Sequence, residues 1–159
     1  MIFGMSLYLF IHVLISLIAI AAGLTVLFGM LGNNRMDGMT LIFLLFTAAT
    51  SLTGFGFPFH GVTPAVTLGI ISTVVLIPAF AARYAFHMRG AWRWIYIVGA
   101  ILAQWFNTFV LVVQSFLKVP ALHALAPNGS EPPFAIAQGA VLLFYIVTGY
   151  LAVRRFRPV

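Results

Sequence analysis

Charge is scarce in this sequence, and cysteine is absent. Of 159 residues only eight are Lys or Arg and two are Asp or Glu, together 6% of the chain. A soluble domain carries charge on about a quarter of its residues, so these few charges cannot form a water-facing surface. The lack of cysteine excludes disulfides, thiolate metal ligands and cysteine nucleophiles.

Long apolar segments take up most of the chain instead. Hydrophobic residues make up 63% of it, and the mean hydropathy is +1.13. Each segment has about 20 residues or more, enough for a helix to cross a hydrocarbon core of about 30 Å. In lipid an unpaired backbone amide costs several kcal/mol, so such segments form helices. We therefore predict a single all-α domain over residues 1–159, a polytopic transmembrane helix bundle with five membrane-spanning helices at 3–31, 39–57, 65–85, 94–117 and 134–153.

Proline marks two further features of the chain. Pro78 lies inside the third segment, where its missing N–H predicts a kink. The stretch from Lys118 to Pro133 contains four prolines, and this density is typical of a loop. We therefore expect a bent third helix and an irregular connection between the fourth and fifth.

The basic residues indicate how the bundle is oriented. All of them except Lys118 fall in the first loop, the third loop and the carboxyl-terminal tail. These seven are Arg35, Arg83, Arg89, Arg93, Arg154, Arg155 and Arg157. By the positive-inside rule these segments are cytoplasmic, which predicts an amino terminus outside and a carboxyl terminus in the cytoplasm of a multi-pass inner (plasma) membrane protein. Because the charges lie at helix ends, nucleic-acid binding is excluded.

Polar side chains within the apolar segments are the candidates for function. Gln104, Asn107, Gln114 and Lys118 fall within an arc of about 80° on the fourth helix, at about 100° per residue. Amides at that depth are costly in lipid, so this face is expected to meet protein or water. Polar residues of the other helices lie at comparable depth and predict a pocket. The predicted ligand-binding residues are His12, Ser16, Thr50, Gln104, Asn107, Gln114, Gln138 and Tyr145.

His12 is an ionisable residue well inside the first apolar segment, which makes it a candidate for function. A bis-histidine haem needs two histidines at matching depth, but His60 and His123 fall in predicted outer loops and His87 beside the arginines. The two acids, Asp37 and Glu131, fall in loops, which argues against a carboxylate-based proton carrier and a Ser-His-acid catalytic set. The sequence therefore predicts neither catalytic nor metal-ligating residues, and it identifies no cofactor.

Several interpretations of the polar residues remain open. The leading one is a non-enzymatic protein that binds a small amphipathic ligand, a lipid or quinone, in an outward-facing polar pocket within the membrane. The same groups serve equally as hydrogen bonds that hold helices together, each worth about 0.6–2 kcal/mol. The alternatives are a structural or assembly subunit that packs against a membrane-complex partner or another copy, a haem-binding redox protein, and a small transporter.

Overall fold

The computed structural model describes residues 1–58 and 60–158, and these residues form an all-α structure. Five of the described helices are long and apolar enough to cross a membrane, as predicted. A five-residue π-helical turn follows the third of them, and a short helix precedes the last. The helices are α1 (Leu7–Leu31), α2 (Asp37–Gly54), α3 (Pro64–Phe80), α4 (Ala91–Lys118), α5 (Pro120–Leu125) and α6 (Pro132–Arg155), with the π-turn at Ala81–Ala85.

The helix ends differ from the predicted ones where capping groups fix them. α1 begins at Leu7 rather than at residue 3 because the Ser6 side chain accepts a hydrogen bond from the N–H of Leu9. α3 begins likewise, with Thr63 as its cap and Pro64 in its first turn. Apolar length indicates that a helix is present, whereas short-range hydrogen bonds decide where it begins.

The predicted irregular loop between Lys118 and Pro133 is wrong in part, since α5 occupies its first half. Pro120 is at the start of α5, where its fixed backbone angle favours a helix and its missing N–H costs nothing. Ala and Leu follow, and both are strong helix formers. The same proline that indicated a loop therefore starts a short helix.

Pro78 lies within α3, and the backbone hydrogen-bond pattern changes just after it. From Ala81 to Ala85 the helix widens to a π-turn, closed by the N–H of Phe86 donating to the carbonyl of Ala81 at 2.9 Å. A π-turn inserts an extra residue and so rotates the side chains that follow. Arg83 lies in this turn and inside the bundle, with 3% of its surface exposed.

α4 is the central helix of the bundle. It packs against α1, α2, α3 and α6, while α1 also packs along α2 and α6. Small residues permit this close packing: a Cβ on Gly99 of α4 would lie 3.1 Å from the Cβ of Ala79 on α3. Around this contact the buried side chains of Tyr96, Phe43 and Ile97 form part of one apolar core.

The arginine-rich segments meet at one end of the bundle, called the basic end below. Arg83 donates to the carbonyl of Arg35 at 3.1 Å and pairs with the carboxylate of Asp37. Arg93 donates to the carbonyls of Val153 and Phe156, both at 2.8 Å. The first loop, the third loop and the tail are thus held together, which is the arrangement that alternate spanning of a membrane requires.

Candidate functional site

Gln104 occupies the middle of α4 and joins three helices. Its side chain is 1% exposed, and its Nε2 donates to the carbonyl of Ile20 on α1 at 2.9 Å. The same Nε2 lies 3.3 Å from the hydroxyl of Tyr145 on α6. That hydroxyl is 2.8 Å from Oγ1 of Thr108, one turn along α4. The buried amide therefore lies in a hydrogen-bonded contact between α1, α4 and α6.

Asn107 extends this polar contact to α2. Its Nδ2 donates to Oγ1 of Thr47 at 3.3 Å, and its side chain is half-buried. Gln104 and Asn107 both point toward neighbouring helices, which agrees with the high cost of leaving an amide in lipid. The NH₂ group of each of the two amides donates a hydrogen bond within the protein.

His12 belongs to a separate cluster at the end opposite the basic end. Its Nδ1 is 2.7 Å from Oγ1 of Thr53, and that hydroxyl donates its single proton to the carbonyl of Ala49 at 2.6 Å. Because Thr53 has no second proton to give, Nδ1 of His12 is the donor in their hydrogen bond. Tyr8 donates to the carbonyl of Thr53 at 2.5 Å, and the ring of Phe57 contacts both Tyr8 and His12 edge to face.

The remaining predicted residues mostly bond to nearby backbone. Ser16 donates to the carbonyl of His12 at 2.7 Å, and Thr50 donates to that of Phe46 at 2.8 Å, so both protons stay within their own helices. Gln138 donates to the carbonyl of Phe109 at 3.2 Å. Gln114 is exposed near the end of α4. On the predicted polar face of α4, Gln104 and Asn107 therefore meet protein, whereas Gln114 is exposed.

The eight predicted residues are not brought into one cavity. Gln104 and Tyr145 are bonded to each other, Asn107 lies one turn away, and His12 belongs to its own cluster. The prediction omitted Thr53 and Thr108, which complete the two networks. Thr108 could have been identified from the sequence, because it follows Gln104 by four residues and so shares its face of α4. Nothing in the sequence indicated that Thr53, rather than Thr50, would meet His12.

An apolar groove lies between α4 and α6 and is called the lateral groove below. Its volume is about 380 Å³, and its walls run from Ile97 to Trp105 on α4 and from Leu142 to Val153 on α6. Both stretches belong to the half of each helix nearer the basic end. Of the eight predicted residues, as far as the chain is described, only Tyr145 lines it. A shallower groove of about 290 Å³ lies between α3 and α4 beside Pro78.

Two polar atoms beside the lateral groove are fully covered. Within residues 1–58 and 60–158, Nε1 of Trp105 and Oε1 of Gln104 are buried and have no hydrogen-bond partner. Trp105 contributes its ring to the wall, while its N–H is shielded by protein. The surface that the groove presents is therefore almost entirely apolar.

We compared the chain with protein-family models, curated proteins and solved structures. None matches it. Among the described residues no group of three or more His, Cys, Asp or Glu side chains is placed to hold a metal ion.

One end of the lateral groove, formed by Tyr150 and Val153 of α6, lies next to Arg154 at the basic end and is called the mouth below. Tyr150 forms part of the wall there, and Arg154 donates to its hydroxyl at 2.9 Å. The guanidinium carbon of Arg154 is also 5.7 Å from the centre of the Tyr150 ring, within the range of a cation–π contact. The apolar lateral groove is thus followed directly, along α6, by the exposed positive charge of Arg154.

The two acids are already engaged, one at each end of the bundle. Asp37 pairs with Arg83 and with Arg35 at the basic end. At the opposite end the carboxylate of Glu131 accepts from the N–H groups of Asn128 at 2.9 Å and Ser130 at 3.0 Å. These hydrogen bonds, chiefly the one from Asn128, lower the pKa of the Glu131 carboxyl. Neither acid is a partner for His12 or for Arg154.

Proposed function

We propose that this protein binds the hydrocarbon chain of a membrane lipid in the lateral groove. We further propose that it is a multi-pass inner-membrane protein, with its amino terminus outside and its carboxyl terminus in the cytoplasm. The observation that carries the binding proposal is a groove of about 380 Å³ that is apolar along its length and charged at its mouth. An amphipathic molecule has the same division between tail and head.

The orientation is supported by where the basic residues lie. Seven of the eight Lys and Arg residues belong to the segments that meet at the basic end. Cytoplasmic loops of membrane proteins carry such an excess because translocating basic residues is unfavourable. The basic end therefore faces the cytoplasm, and the lateral groove opens to the cytoplasmic leaflet.

The dimensions of the groove suit one acyl chain. From Leu142 to Val153 an α-helix rises about 17 Å at 1.5 Å per residue. That length is about half of a hydrocarbon core of about 30 Å, the depth of a single leaflet. A lipid with its head at the basic end can therefore lay one tail along the groove as far as Trp105.

The polar networks favour a lipid over a quinone in this groove. A quinone ring carbonyl needs an accessible donor, but Nε1 of Trp105 is covered, and Nε2 of Gln104 already donates to Ile20. Tyr145 is engaged with Thr108 and Gln104. The proposed site therefore differs from the outward-facing polar pocket expected from the sequence: apolar contact holds the ligand, and the polar residues hold the helices.

A pair of matched variants tests the proposal. Ile146 lines the groove and is 59% exposed, whereas Leu143, on the same helix but outside the groove wall, is 61% exposed. Tryptophan at position 146 fills the groove, so we expect Ile146→Trp to retain about tenfold less lipid after purification in mild detergent, equivalent to about 1.4 kcal/mol. Leu143→Trp is expected to retain as much as the unmodified protein.

The readout is mass spectrometry of the small molecules extracted from each purified variant, with equal unfolding temperatures as the check on folding. Equal lipid retention by the two variants would contradict the proposal. A co-purifying quinone that is lost from Ile146→Trp would place a different ligand in the same groove and would also overturn it.

A further inference from the structure

The arginine at the mouth of the lateral groove is held in a defined position. Arg154 donates to the Tyr150 hydroxyl at 2.9 Å and lies over the ring of the same tyrosine. Tyr150 is itself part of the groove wall. The exposed guanidinium is therefore fixed beside the opening by a residue that the lipid tail would contact.

The positive charge at this mouth has no counter-ion within the described protein. Of the two acids, Asp37 is paired with Arg83 and Arg35, and Glu131 lies at the other end of α6. Arg155, next to Arg154, is exposed as well. An arginine has five N–H donors in a planar fork, and Arg154 uses only one of its nitrogens, NH1, for the tyrosine. The remaining donors are available to a phosphate oxygen.

We infer that the lateral groove selects lipids with an anionic headgroup, which Arg154 binds at the mouth while the tail fills the groove. This inference rests on the proposed function and adds the ligand class to it. Guanidinium groups bind phosphate through paired, charge-assisted hydrogen bonds, so a phospholipid head suits this position. A headgroup of net negative charge is favoured over a zwitterionic one, because the ammonium group of a zwitterion would lie near Arg154 and Arg155.

The other arginines of the basic end serve different purposes. Arg93 caps the carbonyls of Val153 and Phe156, and Arg83 is buried against Asp37. Arg89 is exposed at the same end, but within the described residues its side chain makes no hydrogen bond to the groove wall, whereas Arg154 bonds to Tyr150 of that wall. Arg89 therefore experiences the same general attraction for anionic lipid without a tail site beside it, which makes it the matched control.

The test uses the purified protein reconstituted in nanodiscs of equal parts phosphatidylglycerol and phosphatidylcholine. After transfer to mild detergent, native mass spectrometry counts the two lipids that remain bound. We expect phosphatidylglycerol to be enriched over its bulk fraction. Arg154→Gln should reduce that enrichment about fivefold, equivalent to about 1 kcal/mol for the contact between its guanidinium and the headgroup. Arg89→Gln should leave it unchanged.

The outcomes separate this inference from the proposed function. Loss of both lipids from Ile146→Trp tests whether the tail binds in the groove. Loss of the preference for phosphatidylglycerol from Arg154→Gln, with total lipid unchanged, tests whether Arg154 binds the headgroup. Bound lipid with the composition of the nanodisc would overturn the inference, as would an equal loss of preference from Arg89→Gln. Inorganic phosphate that displaces phosphatidylglycerol better than chloride of equal ionic strength would indicate a site for free anions and would also contradict it.

Discussion

Arg83 depends on a single carboxylate. Its side chain is 2% exposed and pairs with Asp37, whose own side chain is 69% exposed. Removing one member of a fully buried pair costs about 3–5 kcal/mol because the other charge stays buried and unpaired. Since water reaches Asp37, and Arg83 keeps its bond to the carbonyl of Arg35, we expect Asp37→Asn to lower the free energy of unfolding by about 1–3 kcal/mol. Denaturant unfolding in detergent micelles measures this.

Arg35 provides the control for that measurement. It also pairs with Asp37, at 3.2 Å, but its side chain is 43% exposed. Such surface pairs contribute at most about 1 kcal/mol, so Arg35→Gln should lower stability much less than Asp37→Asn. If the two variants lose the same stability, the buried charge of Arg83 is not what Asp37 stabilises.

Two residues, Arg83 and His12, also show which features of the structure could not be predicted from the sequence. Arg83 was expected in a cytoplasmic junction because arginines cluster there, and it does lie at the basic end. It is buried within the π-turn after Pro78, and no periodicity in the sequence indicates that turn. For His12 the helical face was predictable, but the partner was not. Whether Thr50 or Thr53 meets it depends on how α2 is rotated, which the core packing of both helices decides.

At the scale of helices, small residues determine how closely α1 and α4 approach. Gly23 of α1 is buried, and a Cβ at that position would overlap the side chains of Gln104 and Phe43. We expect Gly23→Ala to destabilise the bundle by about 1–3 kcal/mol, because the added methyl forces neighbouring side chains apart. The loss should appear as a lower unfolding temperature.

Gly139→Ala is the matched control, since a Cβ at this helical position of α6 would meet nothing within 4 Å. Alanine favours a helix over glycine, so this variant should be as stable as the unmodified protein or slightly more stable. A neutral Gly23→Ala would mean that Gln104 can move aside at little cost and that this crossing does not depend on glycine.

The helices themselves were the most predictable part of the fold. Apolar runs of sufficient length indicate spanning helices because lipid leaves the backbone no other way to pair its polar groups. The 100° turn per residue also grouped Gln104 with Asn107 on an inward face of α4. The turn angle does not reveal which neighbour that face meets or how far along the helix the contact continues, so it does not separate the exposed Gln114 from the two residues that meet protein. The lateral groove was not predicted, because it arises from the separation of two helices rather than from either sequence.

At the scale of the whole molecule, orientation and ligand choice are linked. The lateral groove occupies the half of the bundle nearer the basic end, so the side of the membrane that this end faces decides which leaflet supplies the lipid. The cytoplasmic leaflet is the anionic one in many membranes and attracts basic segments. Our proposal of an anionic lipid therefore requires the basic end to be cytoplasmic.

The absence of cysteine makes this requirement simple to test, because a single introduced cysteine is the only thiol. Asn128 and Asn34 are exposed in connections at opposite ends of the bundle. If the basic end faces the cytoplasm, a membrane-impermeant maleimide should label Asn128→Cys in intact cells and Asn34→Cys only after permeabilisation. The reverse pattern would put the groove in the outer leaflet. Both the topology and the reason for an anionic ligand would then be wrong, while binding of a tail in the groove would still be judged by Ile146→Trp.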